Sequence, residues 1–202
     1  MRVGYDADLS TDSGDYQVLA DAVTSIGEVP GTICEIGTRR GGSLRIIVDA
    51  LMANFDHGRD VLCIDPWGDI PYDYPYSAGH ADYTNTMRNQ TVAAIYRYVE
   101  TLPVNVVVAV LDDLEFFKRF PDGFPFYDRE KRLENRYALV FFDGPHDFKS
   151  VAREFEFFLP RSAPGAAWVV DDVETMPEVH GLLVETGLTL VDITSRKAWY
   201  QV

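Results

Sequence analysis

Ile33-Cys34-Glu35-Ile36-Gly37-Thr38-Arg39-Arg40-Gly41-Gly42-Ser43 decides how this chain is read. It begins as a short apolar run of strand type. It then passes through an acid and a glycine and opens into Leu44-Arg45-Ile46-Ile47-Val48, which reads as helix. A buried strand ending in a glycine loop at a helix N-terminus is a device for holding nucleotides: glycine admits close backbone approach, and the first helical turn presents N–H groups. The spacing of Gly37, Gly41 and Gly42 is not the dinucleotide pattern G-x-G-x-x-G.

Outward from that loop, strand and helix patterns alternate. Helical spacing covers Tyr16–Ile26, Leu44–Phe55, Ala81–Thr101, Leu114–Phe120, Phe148–Leu159 and Met176–Glu185. Apolar strand runs cover Gly31–Ile36, Val61–Ile64, Val104–Leu111, Tyr137–Phe142 and Ala166–Val170. Leu188–Ile193 and Lys197–Val202 read as a closing antiparallel pair. In Phe148–Leu159 the residues Phe148, Val151, Ala152, Phe155, Phe158 and Leu159 share one side. Two Pro-containing aromatic stretches, Ile70–His80 and Pro121–Asp128, read as loops. The pattern implies an α/β, Rossmann-like, doubly wound and mainly parallel sheet with helices on both faces. With 202 residues and no linker or repeat, it implies one domain over 1–202.

The bulk properties narrow the partners. A hydrophobic fraction of 47% and an aromatic fraction of 13% belong to a folded chain. The net charge of −14, from 18 basic and 32 acidic residues, disfavours nucleic acid and anionic membrane surfaces, which need a positive footprint. Cys34 and Cys63 lie in apolar strand runs, which argues against a disulfide framework. Met1-Arg2-Val3-Gly4-Tyr5-Asp6 shows no apolar signal segment and no run is long enough to cross a membrane, so a cytoplasmic, reducing setting is expected. A homo-oligomer is left open.

Nearly every strand ends in an acid: Glu35, Asp65, Asp112-Asp113, Asp143 and Asp171-Asp172. In a parallel sheet these converge on the carboxyl edge, where ligands bind. Each has a plainer reading as a helix cap or turn residue. Asp65 is placed to accept from a ribose, or to start a turn before Pro66. Asp143, Asp171 and Asp172 would repel one another unless a cation joined them, and such hard oxygen ligands suit Mg²⁺ first, then Ca²⁺ or Mn²⁺. The plainer reading of Asp171-Asp172 is a cap and a solvated neighbour. His146 is a candidate general base or a loop residue, and Lys149 is its rival. Trp67 either stacks on an adenine face or packs under the loop.

Glu35-Ile36-Gly37-x-x-x-Gly41-x-Ser43 resembles the first motif of class I S-adenosylmethionine-dependent methyltransferases, and Cys63-Ile64-Asp65-Pro66-Trp67-Gly68 resembles their ribose-binding second motif. Phe141-Phe142-Asp143-Gly144-Pro145-His146-Asp147-Phe148, with Pro164-Gly165 and Val169-Val170-Asp171-Asp172, is similar to the metal-dependent small-molecule O-methyltransferases of the catechol type and of macrolide and aminocoumarin sugars. The resemblance covers Gly31 to Glu174. It implies S-adenosylmethionine and a divalent metal as cofactors and a small-molecule hydroxyl, aromatic or sugar, as acceptor. It places Gly37, Thr38, Gly41 and Ser43 at the methionine end, with Glu35 supporting the loop, Asp65 at the ribose and Asp112 near the adenine. It makes Asp143, Asp171 and Asp172 metal ligands and His146 a base. Ala166-Ala167 after Gly165 and the stiffening Pro145 depart from the pattern. The Tyr-rich stretch Tyr72–Tyr83 reads either as a lid over the acceptor or as a surface loop. Two other functions stay open: a nicotinamide-dependent oxidoreductase of the same fold class, and a cofactor-binding module without catalysis.

Overall fold

The computed structural model describes residues 9–11, 13–54, 58–69, 83–127, 129–145 and 147–202. Helix α1 (Gln17–Ser25) leads into β1 (Thr32–Ile36), α2 (Gly42–Ala53), β2 (Asp60–Ile64), α3 (Asn85–Val99), β3 (Asn105–Ala109) and α4 (Asp113–Arg119). A hairpin of β4 (Phe124–Tyr127) and β5 (Lys131–Glu134) follows. The chain then forms β6 (Tyr137–Phe142), α5 (Phe148–Phe158), a 3₁₀ turn at Leu159–Arg161, β7 (Ser162–Val170), α6 (Pro177–Glu185), β8 (Thr189–Ile193) and β9 (Ala198–Gln201).

Seven strands form one sheet in the order β3-β2-β1-β6-β7-β9-β8. The first five are parallel, and β9 runs antiparallel to both β7 and β8. This is the doubly wound sheet with a closing antiparallel pair that the alternating pattern predicts. Every residue of β1, β2 and β6 is buried, as central strands covered on both faces must be. One face is sealed by α1, α2 and α3 through Leu19, Val23, Leu44, Ile47, Val48 and Ile95. The other is sealed by α4, α5 and α6 through Phe116, Val151, Phe155, Val179 and Leu183.

Three sequence expectations change. Phe124–Tyr127, read as loop, is a strand, because it pairs antiparallel with Lys131–Glu134. The pairing buries Phe126, and Arg132 reaches Asp60 at 2.8 Å and Glu134 at 3.0 Å. Pro121, Gly123 and Pro125 hid a hairpin whose partner strand is charged and half exposed. Phe148 does not join the buried face of α5: it is exposed, and Glu154 is fully buried. Helix α3 starts at Asn85, where Thr84 caps it by accepting from the Met87 N–H. The stretch from residue 70 to 82, with most of the Tyr-rich segment, lies outside the described residues. No helix among the described residues is long and apolar enough to cross a membrane.

Phe116 is the hub of the second face, stacked on Phe124 at 5.6 Å between ring centres and edge-on to Phe157 at 6.3 Å. Phe116→Ala should cost about 3–5 kcal/mol of unfolding free energy, measured by urea denaturation, because the cavity lies among rings that cannot collapse into it.

Candidate functional site

The strand order reverses between β1 and β6: the chain winds outward from β1 to β3 and returns to β6 on β1's other side. The crevice at such a reversal, beyond the carboxyl ends of the strands, is where a doubly wound sheet takes ligands. Gly37 leaves β1 here, and Asp143-Gly144 leave β6. The two loops are nearly in contact. A Cβ on Gly37, whose φ is +87°, would lie 1.9 Å from the Asp143 carbonyl oxygen, so only glycine fits.

The glycine loop is braced from below. Asp65, at the end of β2, is 2% exposed. Its carboxylate accepts the Arg39 N–H at 2.7 Å and the Trp67 N–H at 2.9 Å. Burial pushes its pKa up to about 6 against the pull of those N–H groups. Trp67 is fully buried and its indole N–H goes to the Arg39 carbonyl at 3.0 Å. Stacking of Trp67 on an adenine is therefore corrected to packing under the loop: no part of the ring is open to a ligand. Glu35 is also fully buried, and burial raises its pKa to about 7. Neither of its oxygens, nor the Thr38 Oγ1 beside it, has a hydrogen-bond partner among the described residues.

Helix α2 starts at Gly41-Gly42 with no side-chain cap on its first turn. The segment Leu9–Thr11 lies across that start. Ser10 bridges to Gly41, and a Cβ on Gly42 would meet the Thr11 nitrogen at 2.3 Å.

The remaining acids divide. Asp112 takes the plainer role, capping α4 by accepting the Glu115 N–H at 2.9 Å. Asp143 stands half-buried at the end of β6, its N–H bonded to the Ile36 carbonyl at 3.0 Å. Asp171 is buried, with Oδ1 2.7 Å from the Lys197 ammonium and Oδ2 3.3 Å from the Ser13 hydroxyl. Asp172, in left-handed backbone at φ 50°, is paired with Arg196. The three carboxylates do not fit a divalent cation as arranged, because two are already joined to cations of the chain itself. Among the described residues no cluster of three His, Cys, Asp or Glu side chains could hold a metal. His146 lies outside the described residues, and Lys149 is exposed on the first turn of α5.

Sequence reasoning missed Lys197, Ser13 and Glu154. Lys197 is fully buried and also bonds the Gly14 carbonyl at 2.9 Å, with Tyr16's ring 4.0 Å away. No spacing rule relates residues 13, 171 and 197. Glu154 lies beneath Gly144, whose Cβ would meet it at 3.4 Å. Burial first, then Asp113 and Asp147, holds the Glu154 carboxyl well above its ordinary pKa. The only sign of it in the sequence is an acid interrupting the apolar side of an amphipathic helix.

A family model described as a methyltransferase domain matches residues 34–173. Among solved structures, the O-methyltransferase NovP is similar at 17% identity and TM-score 0.62, over 92% of this chain and 78% of that one. A putative caffeoyl-CoA O-methyltransferase from Staphylococcus aureus is similar at 14% identity and TM-score 0.60, over 95% and 84%. The O-methyltransferase TomG from Streptomyces achromogenes, involved in tomaymycin synthesis and solved with SAM, is similar at 16% and 0.60, over 96% and 82%. These identities speak for a shared fold. A search of curated protein sequences found no match.

Glu35 makes the stability of this site depend on pH. Its folded pKa is about 7 against an ordinary 4.5, so the folded chain keeps a proton that the unfolded chain gives up. Its contribution therefore falls as pH rises from 4.5 to 7 and is flat above. Glu35→Gln should gain on wild type by about 3 kcal/mol between pH 4.5 and pH 8, read from urea unfolding at both pH values.

Proposed function

Because the chain belongs to the methyltransferase-domain family, we propose that it moves the methyl group of S-adenosylmethionine to a hydroxyl of a small molecule, aromatic or sugar. The observation that carries the reading is the approach of the Asp143 carbonyl to Gly37 at the point of strand reversal. A loop with no room for a side chain, in the crevice beyond the carboxyl ends of parallel strands, fits a ligand held by backbone contacts.

Gly37, Thr38, Gly41 and Ser43 would hold the methionine end. Glu35 keeps the loop's shape from inside. Asp65 belongs beside the ribose, acting through the Arg39 and Trp67 N–H groups that it fixes. Asp112 stands at the edge assigned to the adenine. S-adenosylmethionine, when bound, would supply an electrophilic methyl to the acceptor oxygen, leaving the carbon–sulfur electron pair on sulfur and the hydroxyl proton to a base. The chain's own task is alignment, since a rigid loop and a rigid sheet edge hold donor and acceptor in line. His146 and Lys149 are the bases proposed to take the proton, and Asp143 would orient the hydroxyl.

Calorimetry should show S-adenosylhomocysteine binding to the wild-type chain. Gly37→Ala should weaken it by about 100-fold, equivalent to about 2.7 kcal/mol. Asp65→Ala should weaken it by about 10-fold, through loss of the loop's brace. Absence of binding by both S-adenosylmethionine and S-adenosylhomocysteine at millimolar concentration would end this reading.

A further inference from the structure

We propose that the carboxylate edge of this chain works without a divalent metal, with the Lys197 ammonium as its resident cation. The proposal rests on the methyl-transfer reading for its chemical meaning. Its physical basis is separate.

A divalent ion at this edge would need carboxylate oxygens whose lone pairs are directed into one place. Asp171, at the end of β7, has Oδ1 on Lys197 at 2.7 Å and Oδ2 facing Ser13 at 3.3 Å. Asp172 is paired with Arg196, which also stands 3.8 Å from Glu174. The ammonium is itself fully satisfied. Its three donors meet Asp171 Oδ1, the Ser13 hydroxyl at 2.7 Å and the Gly14 carbonyl at 2.9 Å. Its open side faces Tyr16 at 4.0 Å. Three oxygens and a ring face around one buried nitrogen make a closed cation cage, filled covalently by the chain.

The cage explains why so buried a lysine is tolerated. A charge at zero exposure is stable only when paired and fully hydrogen-bonded, and both conditions hold for Lys197. A metal entering here would have to displace the ammonium into apolar surroundings next to Phe141, whose ring centre is 6.0 Å away. That cost has no counterpart in an open acidic site.

The inference also bears on the acceptor class. A metal-centred site selects acceptors with two neighbouring oxygens, because both bind the ion. An edge neutralised by fixed cations carries no such requirement, so acceptors with an isolated hydroxyl belong to its range as much as vicinal diols and catechols.

The test is Mn²⁺ binding by the full chain, stripped with EDTA and followed by electron paramagnetic resonance, with and without S-adenosylhomocysteine. Wild type should bind no stoichiometric Mn²⁺, whereas Lys197→Met, which keeps the volume and removes the charge, should gain a site that Asp171→Asn in the same background abolishes. Stoichiometric Mn²⁺ on wild type that is lost in Asp171→Asn overturns the proposal. So does a folded Lys197→Met that gains no Mn²⁺. If Lys197→Met does not fold, the wild-type and Asp171→Asn titrations decide alone. In a turnover assay with S-adenosylmethionine and a panel of phenols, catechols and glycosides, wild-type rates should be the same in EDTA and in Mg²⁺. A rate abolished by EDTA and restored by Mg²⁺ overturns the proposal. Failure of S-adenosylhomocysteine to bind in calorimetry counts against methyl transfer and leaves the Mn²⁺ result standing.

Discussion

The contact between Gly37 and the Asp143 carbonyl governs the spacing of the whole carboxyl edge. With no Cβ at Gly37, the loops leaving β1 and β6 close to van der Waals distance. Had they been forced apart, the β1–β6 register, which pairs Ile36 with Phe142, would have lost its last rung. The Asp143 N–H would then have lost the Ile36 carbonyl, its partner at 3.0 Å. The polar side chains nearby are arranged around that closure. Glu35 sits under it on one side and Glu154 on the other, both buried and both held toward the protonated form. Because both are held toward the protonated form, the two acids below the loop repel each other less than a count of carboxylates suggests.

Much of this was legible in the sequence, because the alternation of apolar runs with helical periods is a direct print of a parallel sheet covered on both faces. The seven sheet strands overlap the β-type runs, from Thr32–Ile36 through to Ala198–Gln201, though β7 begins at Ser162, ahead of the run read from Ala166. The glycine loop and the acids at the strand ends were also visible as positions. Their partners were not. Asp171 and Lys197 meet because β9 docks antiparallel on β7, placing Ala198 opposite Val170. No local spacing encodes that register. The same limit hid the β4–β5 hairpin, since Lys131–Glu134 has neither alternation nor a two-residue turn to mark it.

Charge is distributed at this edge differently from what a list of acids implies. Asp143 apart, and with Glu154 of α5 added, the environments separate the acids at the strand ends into three kinds. Glu35, Glu154 and Asp113 are held toward the neutral form by burial. Asp65, also pushed up by burial, is spent on loop N–H groups, and Asp112 is spent on a helix N–H. Asp171 and Asp172 are matched by side-chain cations. A site can therefore be rich in acids and still present a modest field to a cationic sulfonium ligand.

The cage around Lys197 joins residues near the two ends of the described chain, Ser13 and the ammonium that binds it being 184 residues apart in sequence. Contacts of such separation form late, because the loop they close must be paid for in entropy before they return anything. Until Lys197 is in place, Asp171 lacks its counter-charge and Ser13 lacks the ammonium that binds it. The Asp171 corner of the carboxyl edge is thus completed only once residue 197 has left the ribosome, whereas the Gly37–Asp143 closure needs nothing beyond β6.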